Sequence, residues 1–166
     1  MNDVEKTSSD PLAGSGSGTI TLAPGAESNA FASMLADLVR QNLESKPHKK
    51  KDFDALARGS GVRVGLVADD ADVALTLEFG SGRLVVHDGI KGIPDVTVRG
   101  TADVIMAMSN VPLTRPLALP VPTDRASLGV VLDMMRASRT GALKIYGLFG
   151  HLGQLSRLTR VMSVNG

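Results

Sequence analysis

Three histidines are the first side chains in this sequence that could do chemistry, and their spacing argues against it. His48 lies among lysines, His87 ends an alternating apolar segment, and His151 falls within a leucine-rich one. No two of them stand at i and i+4, as a helical zinc site needs, and the carboxylates nearest in sequence complete no ligand set. Asp69, Asp70 and Asp72 are dense enough to suggest calcium. The run lacks the Gly and the bidentate Glu of an EF-hand loop, however, and reads more simply as a hairpin turn. Gly147, Gly150 and Gly153 are not followed by the Lys-Ser/Thr of a phosphate loop; small residues there let a neighbouring element or a ligand chain come close. No serine stands in a nucleophile elbow. With no Cys in the chain, thiolate metal sites, disulfides and Cys nucleophiles are also excluded. The sequence therefore predicts a protein that is not an enzyme and uses neither metal nor cofactor.

What remains is apolar. Hydrophobic residues make up 43% of 166 residues, enough for one core, and seven Met stand against four Phe. Met is a soft, adaptable filler. Four of the seven, Met106, Met108, Met134 and Met135, fall on two predicted helices in the middle of the chain. Such residues form either plain core or the wall of a hydrophobic tunnel. An alkyl chain of about ten methylenes in such a tunnel would contribute ~8 kcal/mol before ordering costs, so lipid binding needs no polar catalytic group.

Charge and composition narrow the partners. The net charge of +1 conceals a chain that is balanced over residues 1–51, acidic over 52–103 with nine acidic side chains against five basic, and basic over 104–166 with seven against two. The basic third suits a transient contact with an anionic membrane surface or an acidic partner, or is an ordinary solvated face. Lys46 to Lys51 reads as a short linker of solvated lysines. With 3% aromatics and no Trp, nucleic acid is not an expected partner. No apolar run is long enough to span a bilayer and the first residues do not resemble a signal peptide, so a cytoplasmic location is expected.

The elements that must position the apolar residues follow from periodicity. Residues 1–27 hold the Gly14 to Gly18 low-complexity run and read as a flexible tail, in which Thr19 to Pro24 forms at most a transient edge strand. Residues 28–166 form a single domain. Ser28 or Asn29 caps a helix whose stripe is Phe31, Met34, Leu35, Leu38 and Val39, and a short helical turn follows at 52–58. Alternation around Val62 to Leu66, Val73 to Phe79 and Leu84 to Val86, broken by turn residues, gives a meander, with a fourth strand at Asp95 to Arg99. Thr101 caps the next helix, bearing Val104, Ile105 and Met108. The proline-rich 111–124 loop is a lid, a surface for a protein partner, or packing for its own domain. A helix at 126–137 carries Leu128, Val131, Leu132 and Met135. Last come a strand at Leu143 to Tyr146 and an amphipathic helix bearing Leu148, Leu152, Leu155, Leu158 and Met162. The fold class is α+β: a predominantly antiparallel sheet of about five strands covered on one face by helices.

Two of these segments carry a family likeness. Asp95-Val-Thr-Val-Arg-Gly-Thr-Ala-Asp-Val-Ile-Met-Ala-Met108 and Gly141-Ala-Leu-Lys-Ile-Tyr-Gly147, with the helix after it, resemble the second half of the SCP2 (sterol carrier protein 2) lipid-binding domain. The resemblance runs from about Phe53 to Val164. It implies an SCP2-like fold that holds a sterol, fatty acyl or isoprenoid chain in an apolar tunnel between sheet and helices. By that layout the wall comes from Val104, Ile105 and Met108, from Leu128, Val131, Leu132 and Met135, and from Leu148, Phe149, Leu152 and Leu155. The alternative it leaves open is an accessory module docking to a lipid-modifying or quinone-biosynthesis complex.

Overall fold

In the computed structural model, residues 18–109, 143–147 and 150–164 are described, save the side chains of 107–109 and 152. Among them, six strands form one sheet: β1 (Thr19–Leu22), β2 (Val62–Ala68), β3 (Val73–Gly80), β4 (Arg83–Asp88), β5 (Val96–Gly100) and β6 (Leu143–Tyr146). Their order is β1-β4-β3-β2-β5-β6. The β2-β3-β4 meander is antiparallel as expected, because its two turns are short. Asp72 and Ser81 take positive φ there, the left-handed geometry that tight turns require.

The sheet is mixed rather than close to antiparallel, since β1 runs parallel to β4 and β5 parallel to β2. Both parallel pairings join strands distant in sequence, so no local turn announces them. The first orders, as an edge strand, a segment for which at most a transient edge strand was expected. Thr19–Leu22, read from sequence as part of a tail, is a strand of the sheet, and Ala23 and Ala26 behind it are buried. The rest of the expected tail, 1–17, lies outside the described residues, as do the 111–124 loop and the helix expected at 126–137.

Alternate residues of every strand point to one side. Val64, Leu66, Leu75, Leu77, Phe79, Leu84, Val86, Val96 and Val98 are all buried there, under α1 (Ala30–Ser45), α2 (Lys50–Leu56), α3 (Ala102–Ser109) and α4 (Leu152–Met162). Phe53 of α2 meets Phe79 edge to face, with ring centroids 5.8 Å apart. The stripe of α1 packs inward as expected at Phe31, Leu35, Leu38 and Val39, but is centred on the alanine side of the helix. Ala32, Leu35, Ala36, Val39 and Asn42 face inward and Met34 is exposed, because two alanines let the helix axis approach the sheet more closely than Met or Phe would. Asn29 caps that helix, its side-chain oxygen accepting from the N–H of Phe31 and Ala32.

Candidate functional site

Leu66 and Val98 sit opposite each other on the parallel pair β2 and β5, aimed at the helices. The chain leaves β5 through Gly100 and enters α3 at once, and two side chains fix that start. Thr101 Oγ1 accepts from the N–H of Val104 at 3.3 Å, and Asp70 Oδ1, from the β2-β3 turn, accepts from the N–H of Ala102 at 2.7 Å. Both satisfy donors that a helix N-terminus leaves unpaired. Ile105, one turn on, is thereby held over Leu66 and Val98.

The other wall is α4. Leu155, Leu158, Thr159 and Met162 complete an apolar hollow of about 20 Å³ with Leu66, Val98 and Ile105, room for about one water molecule. Of these lining residues Thr159 alone is polar, and its hydroxyl donates back to the carbonyl of Leu155 at 2.8 Å. Among the described residues every buried side-chain polar atom has a partner. Among the described residues such a wall carries no ionisable side chain, and what it can do is attract hydrocarbon. A larger hollow of about 600 Å³ beside Phe31, Met34 and Val73 lies wide open to solvent, where water competes for every contact.

Among the described residues the two ends of α4 are held differently. At its C-terminal end, Asn42 Nδ2 donates to the carbonyls of Val161 and Met162 at 3.0 and 2.9 Å. The ammonium groups of Lys49 and Lys46 donate to the carbonyls of Ser163 and Val164, and Arg160 Nε lies 3.1 Å from Asp52 Oδ2. Asn42, Lys46 and Lys49 thus stand at the negative end of the helix dipole and meet carbonyls at its end, while Arg160, in α4 itself, ties the helix to α2. At the N-terminal end, His151 Nδ1 stands 3.3 Å from the Gly147 carbonyl, and its Nε2 is 3.7 Å from Asp95.

Lys49 is the departure from the sequence reading here. Expected in a solvated linker, it is 1% exposed, because the carbonyls at the end of α4 need donors and its long stem reaches them. Burial, and then the neighbouring charge of Lys46, push its pKa down from 10.5 to about 8. Unfolding restores the ordinary value, so between about pH 8 and 10.5 the unfolded chain holds the extra proton. Stability of the folded protein is therefore expected to rise with pH across that window. Thermal midpoints of the protein and of Lys49→Met, measured from pH 7 to pH 10.5, check this; a rise that the variant shares in full would assign it to other groups.

Of the eleven predicted wall residues, Ile105 and Leu155 line the hollow, while Val104 packs half-buried against the core beside it. Leu128, Val131, Leu132, Met135, Leu148 and Phe149, and the side chains of Met108 and Leu152, lie outside the described residues. Sequence reading did not assign Leu66, Val98, Leu158, Thr159 and Met162 to the wall. Leu158 and Met162 were visible as members of the Leu155 stripe, and Leu66 and Val98 as inward positions of their strands.

Histidine chemistry lies elsewhere. His87 Nε2 stands 2.9 Å from Glu78 Oε2 on the opposite face of the sheet, and Arg63 donates to Oε1 of the same carboxylate. The Arg63 hydrogen bond, foremost, holds Glu78 below the usual carboxylate range. Among the described residues no three His, Asp or Glu side chains could share a metal ion, and no helix is long and apolar enough to cross a membrane.

Compared with known proteins, the sequence matches no family model and no curated protein. Its fold is similar to that of a solved structure described as "UbiJ-SCP2 Ubiquinone synthesis protein", at 18% identity and a TM-score of 0.53. The match covers 82% of this chain and 98% of that one. A conserved hypothetical protein of Thermus thermophilus, described as a candidate sterol carrier protein, matches at 12% identity and a TM-score of 0.35, over 83% of this chain and 92% of that one. The inverting sec-alkylsulfatase Pisa1 from Pseudomonas sp. matches at 20% identity and a TM-score of 0.35, over 63% of this chain and 14% of the sulfatase. The chain has an SCP2-like α+β fold.

Proposed function

We propose, on an SCP2-like fold with an apolar hollow under its helices, that this protein binds the hydrocarbon part of a lipid between sheet and helices and carries it without transforming it. A sterol, a fatty acyl chain or an isoprenoid chain is the ligand class, and the cytoplasm is the compartment in which it works. The observation behind this reading is the wall of Leu66, Val98, Ile105, Leu155, Leu158, Thr159 and Met162, with its one hydroxyl turned back onto its own helix.

A hollow of about 20 Å³ must widen to take such a chain. The unequal fastening of α4 indicates how. Its C-terminal end stays on Asn42, Lys46 and Lys49, while the Leu155 end swings away from Val98 and Ile105, releasing, among the described residues, the His151 contacts. The bilayer-like lining then exchanges its contacts with itself for contacts with the ligand.

Binding driven this way scales with chain length. At ~0.8 kcal/mol per methylene, each added CH₂ is expected to tighten binding of a saturated fatty acid about fourfold until the hollow is filled. Titration of the full-length protein with acids of increasing length measures this. Affinity independent of length would remove the reading.

A second reading keeps the body closed and makes the domain an accessory module of a quinone-biosynthesis or other lipid-modifying complex, docked through the 111–124 loop. Two observations favour it: the tightness of the hollow, and the likeness in fold to a protein described as acting in ubiquinone synthesis. Native mass spectrometry of protein purified from cells separates the two. A co-purifying lipid supports the carrier, whereas an empty chain recovered with a fixed protein partner supports the module.

A further inference from the structure

The turn from β4 into β5, residues 89–95, does something unusual for a loop: it is held rigidly and yet displays an aliphatic side chain to water. Gly89 N–H donates to the Ala74 carbonyl at 2.8 Å. Thr76, wholly buried, donates from Oγ1 to the Gly89 carbonyl at 2.9 Å and accepts from the Lys91 N–H at 2.8 Å. Asp95 donates its N–H to the Arg63 carbonyl at 2.9 Å and accepts the Arg63 N–H on Oδ2 at 2.8 Å. The loop thus lies across the face of the sheet opposite the helices.

Gly65 is the socket for it. A Cβ on Gly65 would stand 3.2 Å from Pro94 Cγ and 3.3 Å from Ile90 Cδ1, so the absence of a side chain is what lets the loop seat. Its tip faces away from the sheet. Ile93 is 89% exposed, Ile90 44%, and Tyr146, separated from Gly65 by Thr97 alone in the same cross-strand row, is 54% exposed. These are three of the five large hydrophobic side chains exposed among the described residues.

We propose that this loop and Tyr146 form a docking element for the surface of an anionic lipid bilayer. The tip is convex, and a bilayer takes up a protruding isoleucine without a matching hollow, whereas a protein partner must supply one. Tyr is an interfacial side chain, with an apolar ring and a polar end. Two lysines stand beside the apolar tip, where an anionic headgroup would meet them. Lys91, next to the tip, has no carboxylate at salt-bridge distance among the described residues, and Lys144 projects from the same face as Tyr146. Of the acidic groups nearby, Glu78 is paired with Arg63 and Asp69 with Arg99, while Asp88 and Asp95 keep their charge, Asp88 accepting from the Asn29 amide and Asp95 from the Arg63 N–H with His151 at 3.7 Å. Docked this way, the helix-covered side and its hollow face away from the bilayer, so the inference stands apart from lipid carriage.

The chain contains no Trp, so Ile93→Trp places a single reporter at the tip. The full-length protein is expected to sediment with vesicles of phosphatidylcholine containing about 30 mol% phosphatidylglycerol and not with phosphatidylcholine alone. The tryptophan emission of Ile93→Trp shifts to the blue on adding the same anionic vesicles, while that of Met34→Trp, exposed on α1, does not. Ile93→Ser lowers the partition coefficient by about tenfold or more. Absence of sedimentation, or sedimentation with no shift from Ile93→Trp, overturns the proposal. Leu155→Glu, altered in the hollow, sediments like the unaltered protein, so a failure of the carrier reading does not imitate a failure of this one.

Discussion

Leu155→Glu is expected to abolish binding of a fluorescent acyl probe, by more than about a hundredfold, while the protein stays folded. The position is chosen for both halves of that statement. Leu155 lines the hollow but is only half-buried, so without ligand a glutamate there can turn its carboxylate to water. Its N–H donates to the His151 carbonyl at 2.9 Å, a bond that the substitution keeps. With a hydrocarbon in place the same carboxylate must lose its hydration or stay neutral, and either costs several kcal/mol. Leu158, 3% exposed, would be a poor choice, because a charge there would unfold the domain rather than report on binding. Probe titration alongside circular dichroism is the measurement. Undiminished affinity in a variant with an unchanged spectrum would place the ligand elsewhere.

That such a variant can be chosen at all reflects which features of a chain are local. The inward residues of β2 to β5 were legible because alternation is decided two residues at a time. Thr101 as a cap and Asn29 as one of two candidate caps were legible for the same reason. The parallel pairings of β1 with β4 and β5 with β2 were not, since they depend on contacts between strands with no turn between them. Thr19–Leu22 looked too short to order itself, and alone it is; the exposed edge of β4 supplies what it lacks. Leu155 and Ile105 were assigned to a wall through the SCP2 resemblance, not through periodicity, which gives core and tunnel the same pattern. The residues that sequence reading could not place were polar. Asn42 sits where an apolar stripe should continue, and Lys49 within a run of lysines that looks like solvated surface. A buried donor is explained by its acceptor, and the acceptors here lie more than 110 residues away.

Those acceptors give Asn42 a large predicted effect. Its amide reaches the carbonyls of Val161 and Met162 from a position 4% exposed, and each would otherwise be an unpaired group at the end of α4. Asn42→Ala removes two hydrogen bonds of ~1 kcal/mol each and leaves their acceptors short of a partner, so a loss of about 3 kcal/mol is expected. In a domain of this size that lowers the thermal midpoint by about 10 °C. Packing alone could also account for a loss on truncation, and Asn42→Leu separates the causes. Leucine fills the space but donates nothing; it should be about as damaging as alanine if the carbonyls matter, and close to neutral if only volume does. The same pair bears on ligand binding. If the C-terminal end of α4 is the pivot about which its Leu155 end opens, loosening it lets the whole helix drift, and probe affinity falls in both variants even well below their unfolding temperatures. A variant that loses stability but binds as before would show that the pivot and the hollow are independent.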